Sequence, residues 1–215
     1  MGEITDRAQS LVFTTQNQYN ITMKEQTLVI LKPDAVARGL IGEITARFEK
    51  VGLKLVAAKL VHANRELADK HYPVTRDEFI RGMGNKTVEN YQKLGVDLRK
   101  ELGSDDPLEI GKMIREWLAD MITSGPVFAF VLEGPHAIEL VRKICGHTLP
   151  LMANPGTIRG DFSFDSSYLA NTAKRPIKNL IHASGTEEEA AYEIPLWFSK
   201  EEIVSYPRVE EAVME

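Results

Sequence analysis

What most constrains the fold of this chain is the order in which strand-like and helix-like hydrophobic patterns replace one another. Thr27 to Leu31 is a compact apolar run of strand length, ending in Lys32-Pro33-Asp34. Ile44, Phe48 and Val51 then recur at helical spacing over Gly42 to Lys50, and Gly52 stops that helix. Leu53 to Val61 reads as a second strand, and Asn64 offers a side-chain oxygen to the free N–H groups of a helix through Leu67 to His71. A further helix leads to Ser124-Gly125, and Val127 to Leu132 is a strong strand. A helix spans about Pro135 to Ile144 with Gly146 beyond it, and a last strand runs into His182. The order is β-α-β-β-α-β with extra helices. Split β-α-β units of this kind predict an α/β (α+β) fold, a ferredoxin-like βαββαβ sandwich on a four-stranded antiparallel sheet with additional helices. The helices pack on one face, leaving the other to be covered by further elements or by subunits.

Size and charge narrow the classes of function. The 215 residues, 43% of them hydrophobic, allow one domain with an elaboration and a sizeable core. A formal net charge of -5 argues against broad adhesion to nucleic acid or an anionic membrane, while leaving room for a local cationic pocket. The single cysteine, Cys145, excludes an internal disulfide and a multi-cysteine zinc site, reads as a buried helical thiol, and fits a reducing, cytoplasmic setting. Residues 1–24 are polar and irregular, without the apolar stretch of a secretory signal or the Arg-rich pattern of a transit peptide. They are expected to be a flexible extension or remnant ahead of a domain at 25–215. No apolar run approaches the roughly 20 residues needed to span a bilayer.

Two regions carry the chemistry. In Asn179-Leu180-Ile181-His182-Ala183-Ser184, His182 closes a short buried strand. Ser184 with Glu187 reads as an N-cap and capping box for a helix over Thr186 to Ile194, which places Glu193 on that helix. By its neighbours alone His182 reads first as a satisfied structural histidine. Elsewhere Lys32 closes the first strand, and Ala153 to Phe162 is a loop with two glycines and one arginine, Arg159. Arg142 and Thr148 add a second guanidinium and a hydroxyl. Arg supplies a planar fork for phosphate oxygens and Lys a point charge, the set needed to grip a polyphosphate while charge shifts along it. No Gly-x-x-x-x-Gly-Lys-Ser/Thr loop exists, which excludes a P-loop enzyme.

Several motifs then occur in one order: Lys32-Pro33-Asp34, Arg38 to Ile44, His71-Tyr72, Ser124 to Val127, Pro155 to Phe162, Asn179 to Ser184 and Leu196-Trp197-Phe198. In this the chain closely resembles the nucleoside diphosphate kinases, from about Gln26 to Tyr72 and from about Arg115 to Tyr206. The resemblance implies a ping-pong enzyme. His182 takes the γ-phosphoryl group from a nucleoside triphosphate and passes it to a nucleoside diphosphate, and Glu193 fixes the imidazole tautomer. It further implies that Lys32, Arg142, Thr148 and Arg159 grip phosphates, and that Lys32 with Asn179 reaches the ribose hydroxyls. Tyr72 lies near the transferred group and Ser184 supports Glu193. Mg2+ is held mainly by the nucleotide's own phosphates rather than by a protein cage. The assembly implied is a homo-oligomer, a hexamer or a tetramer built from dimers.

The departures from the family's pattern matter as much. His182-Ala183-Ser184-Gly185 stands where the family carries His-Gly-Ser-Asp, which puts a helix-cap or subunit contact in question. Pro73 to Met113 is far longer than the family's link. The base-stacking position falls near Ile114, so the base meets an aliphatic side chain or is stacked by Phe79 or Tyr91. The insert reads as helical, with breaks at Gly82-Met83-Gly84-Asn85 and Gly103 to Pro107. It is first a surface excursion and second a lid beside the nucleotide. Two other functions stay open on the same fold: a non-enzymatic nucleotide-binding regulator, and a phosphohistidine donor to other proteins. His71 is expected to be structural.

Overall fold

This computed structural model describes residues 24–73, 75, 77–209 and 211, so the N-terminal extension lies outside the described residues. Strands β1 (Glu25–Leu31), β2 (Lys54–Val61), β3 (Val127–Gly134) and β4 (Ile181–Ala183) form a four-stranded sheet in the order β2-β3-β1-β4, every neighbouring pair antiparallel. Helices α1 (Pro33–Ala37) and α2 (Ile41–Lys50) join β1 to β2. Between β2 and β3 lie α3 (Arg65–His71), α4 (Asp77–Leu94), α5 (Leu98–Leu102) and α6 (Pro107–Thr123). Helices α7 (Ala137–Cys145), α8 (Ile158–Phe162) and α9 (Ser167–Thr172) lead to β4, and α10 (Glu187–Trp197) follows it. The strand order is that of the expected ferredoxin-like sandwich.

The two faces are covered by the chain itself. β1 is an interior strand, so its alternate side chains enter two cores: Leu28 and Ile30 one, Val29 and Leu31 the other. Burial on both sides is why this strand reads as a continuous apolar run. Phe48 of α2, Val141 of α7 and Ile158 of α8 close the second core, whereas Ile122 of α6 and Ile194 and Trp197 of α10 close the first. Of the two covers expected for the second face, further elements or subunits, the chain supplies the first itself.

The segment between α3 and β3 corrects an expectation. α4 runs unbroken through Gly82-Met83-Gly84-Asn85, where the sequence predicts a stop. A Cβ on Gly84 would stand 1.8 Å from the Pro107 carbonyl oxygen, and one on Gly111 would stand 2.0 Å from that of Ile80. These glycines let the backbones of α4 and α6 touch, and helix packing outweighs their weak helix propensity. The predicted break at Gly103 to Pro107 is present: Gly103 closes α5 in a left-handed conformation, and Asp106 caps α6 by accepting from the Leu108 N–H. Tyr91, Leu98 and Ile110 form a small core of their own inside this excursion. Three short α-helices escape the sequence reading, α1 among them. Ile158–Phe162, within the expected loop, is capped by Thr157, and α9 is capped by Ser166.

Candidate active site

The pleat of β4 aims its three side chains. Ile181 and Ala183 enter the core under α2 and α7, so His182 between them projects to the opposite face, towards α3 and α10. His182 lies mid-strand, paired with Ile30, rather than at the corner that follows. Leu180, immediately upstream, has φ +68°, a left-handed backbone that a leucine adopts only when its surroundings hold it there. Its N–H donates to Asp34 Oδ2 at 3.1 Å, and its carbonyl accepts from the Lys32 N–H at 2.8 Å. The turn at Lys32-Pro33-Asp34 and the histidine strand are therefore fastened to one another.

Glu193, on α10, sits 3.0 Å from His182 Nε2 through its Oε2. The same oxygen accepts from the Ser184 hydroxyl at 2.6 Å, and the Leu28 N–H donates to Ser184 Oγ at 3.3 Å. Burial by itself would raise the Glu193 carboxyl, but the His182 ring and its hydrogen bond outweigh that and hold it down at about 2. An ionised carboxylate only accepts, so Nε2 carries the proton and Nδ1 keeps its lone pair. Ser184 is not the helix cap that the sequence suggests: Thr186 caps α10 by accepting from the Glu189 N–H. Gly185, which replaces the family's acid, donates its N–H to Glu189 Oε2 at 2.7 Å, so a carboxylate from the next turn serves that corner.

His71 lies against this pair. Its ring meets that of His182 edge to face at 4.5 Å, and that of Tyr72 at 4.6 Å. Burial, then the neighbouring His182, lowers its pKa to about 3, so it is neutral, and its Nδ1 accepts from Trp197 Nε1 at 3.4 Å. Its Nε2 is buried without a hydrogen-bond partner.

A cleft of about 420 Å³ opens in front of His182. At one end stand Lys32, Arg142, Thr148, Arg159 and Asn179. Lys32 is buried, which with the Arg159 charge lowers it to about 8, and its Nζ donates to Asn179 Oδ1 at 2.7 Å. Asn179 in turn donates to the Thr148 carbonyl at 2.9 Å, so the amide fixes the lysine. Arg159 donates to the carbonyls of Asn179, Gly146 and Ile181, which ties α8 to the histidine strand and leaves part of its fork for a ligand. Burial lowers its pKa. Arg142 stays exposed at the rim.

Further along the cleft are Tyr72 and Ile114, as the sequence suggests, and Phe79 of α4. Tyr91 is not there; it is buried in the core of the excursion, because it lies on the face of α4 turned towards α5 and α6. Trp117 and Leu118 of α6 line the cleft and went unnoticed in the sequence, although Trp117 lies one helical turn beyond Ile114, which places it on the same face. Asn90 of α4 and Ser167 of α9, also lining, lack any sequence pattern that would single them out.

The chain as a whole, carrying a cation-lined cleft in front of an oriented histidine, is similar to known proteins. The family model described as nucleoside diphosphate kinase matches residues 25–83 and 109–203. A nucleoside diphosphate kinase from Pyrobaculum aerophilum is 51% identical over 180 residues, covering 84% of this chain and 98% of that protein. The crystal structure of an NDP kinase from the same organism superposes with a TM-score of 0.83 at 49% identity, over 85% of this chain and 100% of the other. A transition-state mimic of the Borrelia burgdorferi nucleoside-diphosphate kinase, with bound vanadate and ADP, superposes with a TM-score of 0.72 at 40% identity, over 89% of this chain and 96% of that one. With its fold and its sequence both matched to theirs, this chain belongs to the nucleoside diphosphate kinase family.

Proposed function

We propose that this enzyme carries out reversible γ-phosphoryl transfer from nucleoside triphosphates to nucleoside diphosphates with His182 Nδ1 as the nucleophile. The observation that carries the assignment is the engagement of Nε2 by Glu193, which leaves Nδ1 as the nitrogen with a free lone pair. That lone pair attacks the γ-phosphorus. The bond from phosphorus to the β,γ-bridging oxygen breaks, and its electrons leave with the nucleoside diphosphate. The ring becomes a phosphorylated imidazolium, whose positive charge faces the Glu193 carboxylate. A second nucleoside diphosphate attacks the same phosphorus through a terminal oxygen and restores the neutral ring.

Lys32, Arg142, Arg159 and Thr148 hold the phosphates, Asn179 and Lys32 face the ribose, Tyr72 lies beside the transferred group, and Ile114 with Phe79 and Trp117 receives the base. Magnesium enters as part of the nucleotide complex. Among the described residues the grouping close enough to share an ion is His71, His182 and Glu193, and two imidazoles with one carboxylate do not suit an oxygen-seeking Mg2+. Among the described residues no helix is long and apolar enough to cross a membrane. A cytoplasmic location and a hexamer or a tetramer of dimers complete the reading, the assembly to be checked by light scattering. The decisive test is incubation with γ-labelled ATP without acceptor. The protein should take up label that is labile to acid, stable to base and discharged by GDP or UDP. His182→Ala should bind nucleotide and take no label; label at unchanged stoichiometry in that variant would remove His182 as the nucleophile.

A further inference from the structure

We propose that the end of the cleft where α4 meets α9 is a subsite for the hydrogen-bonding edge of the nucleotide base, built by Asn90 and Ser167. The proposal rests on the reading of the cleft as a nucleotide site. The family model stops at residue 83 and resumes at 109, so Asn90 belongs to a segment outside the family's common machinery. Asn90 Nδ2 donates to Ser167 Oγ at 3.1 Å, joining two elements 77 residues apart in a partly buried contact whose members both line the cleft. That bond leaves Asn90 Oδ1 as an acceptor and the Ser167 hydroxyl proton as a donor, side by side. Asn171, on the same short helix as Ser167, adds a second amide.

Phe79 and Met83 from α4 and Trp117 from α6 line the same cleft with apolar surface, beside Lys86 and Thr87. A planar group with apolar faces and a mixed donor and acceptor edge fits such walls and such a rim. Of the cations near the pair, Arg175 is engaged by Asp165 and Lys86 lies one helical turn from Asn90 on α4, so binding of a base-free polyphosphate separates a base edge from a phosphate there. Because the amide can turn over and the hydroxyl can rotate, the pair complements the edges of purines and pyrimidines alike. The subsite adds affinity for the nucleoside rather than selecting one base.

The test is calorimetric titration of the full chain with ADP and, separately, with tripolyphosphate, which has no base. Asn90→Ala and Ser167→Ala should each weaken ADP by roughly 3–10-fold, as expected for one lost hydrogen bond. Tripolyphosphate should bind both variants as it binds the parent. Unchanged ADP affinity in both variants overturns the subsite. So does an equal loss for the two ligands, which would mean that the bridge merely shapes the cleft. The γ-labelling experiment separates the two readings: a chain that takes no label yet loses ADP affinity in these variants retains the subsite and refutes the reaction. A chain that labels normally while both variants bind ADP like the parent loses the subsite alone.

Discussion

Glu193 Oε2 serves both His182 and Ser184, so the carboxylate orients the ring and then faces the positive charge that phosphorylation creates. Glu193→Gln keeps an acceptor but not the charge. Transfer should slow by about 10–100-fold while the ADP dissociation constant stays near that of the parent; rapid-quench kinetics alongside calorimetry check the split, and parental turnover would reduce Glu193 to a helix residue. Lys32 makes a pH prediction. Burial and then Arg159 bring it to about 8, so it loses its proton as pH rises through that value, and a polyanionic nucleotide prefers the protonated form. The kcat/KM of the free enzyme should therefore fall above pH 8, by up to about tenfold per unit. Lys32→Arg, which stays charged, should show a profile flat through that region. Lys32 and His182 were legible as candidates because each ends or occupies a short apolar run, but burial of Lys32 and the fixed tautomer of His182 depend on side chains more than ten positions away.

At the level of elements, α4 shows how glycines mislead. Gly82 and Gly84 look alike in sequence, yet nothing stands within 4 Å of a Cβ on Gly82, whereas one on Gly84 would collide with the Pro107 backbone. Gly82→Ala should raise stability by about 0.5–1 kcal/mol through helix propensity. Gly84→Ala should lower it by about 1–3 kcal/mol by forcing α4 off α6. Thermal melts of the two variants check this, and equal shifts would mean that the backbone contact contributes nothing. The insert was legible as helical because its apolar spacing is local. Its place beside the cleft was legible only as the second reading, and which of Phe79 and Tyr91 faces the cleft was not, since the two differ only in the face of α4 on which they lie.

For the whole molecule, two buried groups couple the fold to pH on the acid side. His71 falls from 6.5 to about 3, largely through burial and next through the His182 charge, so the unfolded chain binds a proton that the folded one refuses. The stability this represents is intact above pH 6.5 and is lost as pH falls from there towards 3. Glu193 falls from 4.5 to about 2, the His182 ring overcoming the upward push of burial; its contribution is intact above pH 4.5 and is lost as pH drops through 2. Melting temperature should thus hold steady between about pH 6.5 and 8 and decline below that window, with His71→Gln removing the upper part of the decline; a variant with the parental slope between pH 6.5 and 5 would show that other groups drive it. The sequence by itself determined the strand order, most helices, Asn64 as a cap, the break at Gly103 to Pro107, and the residue types of the candidate phosphate site, because each depends on spacing within a few positions. Tertiary structure alone decided that Ser184 bonds Glu193 while Thr186 caps the helix, that both sheet faces are covered from within, and that Tyr91 is core while Trp117 lines the cleft. It also decided that Asn90 meets Ser167. Each of these outcomes is a contact between elements distant along the chain, and such contacts are fixed by packing and burial, which no local pattern encodes.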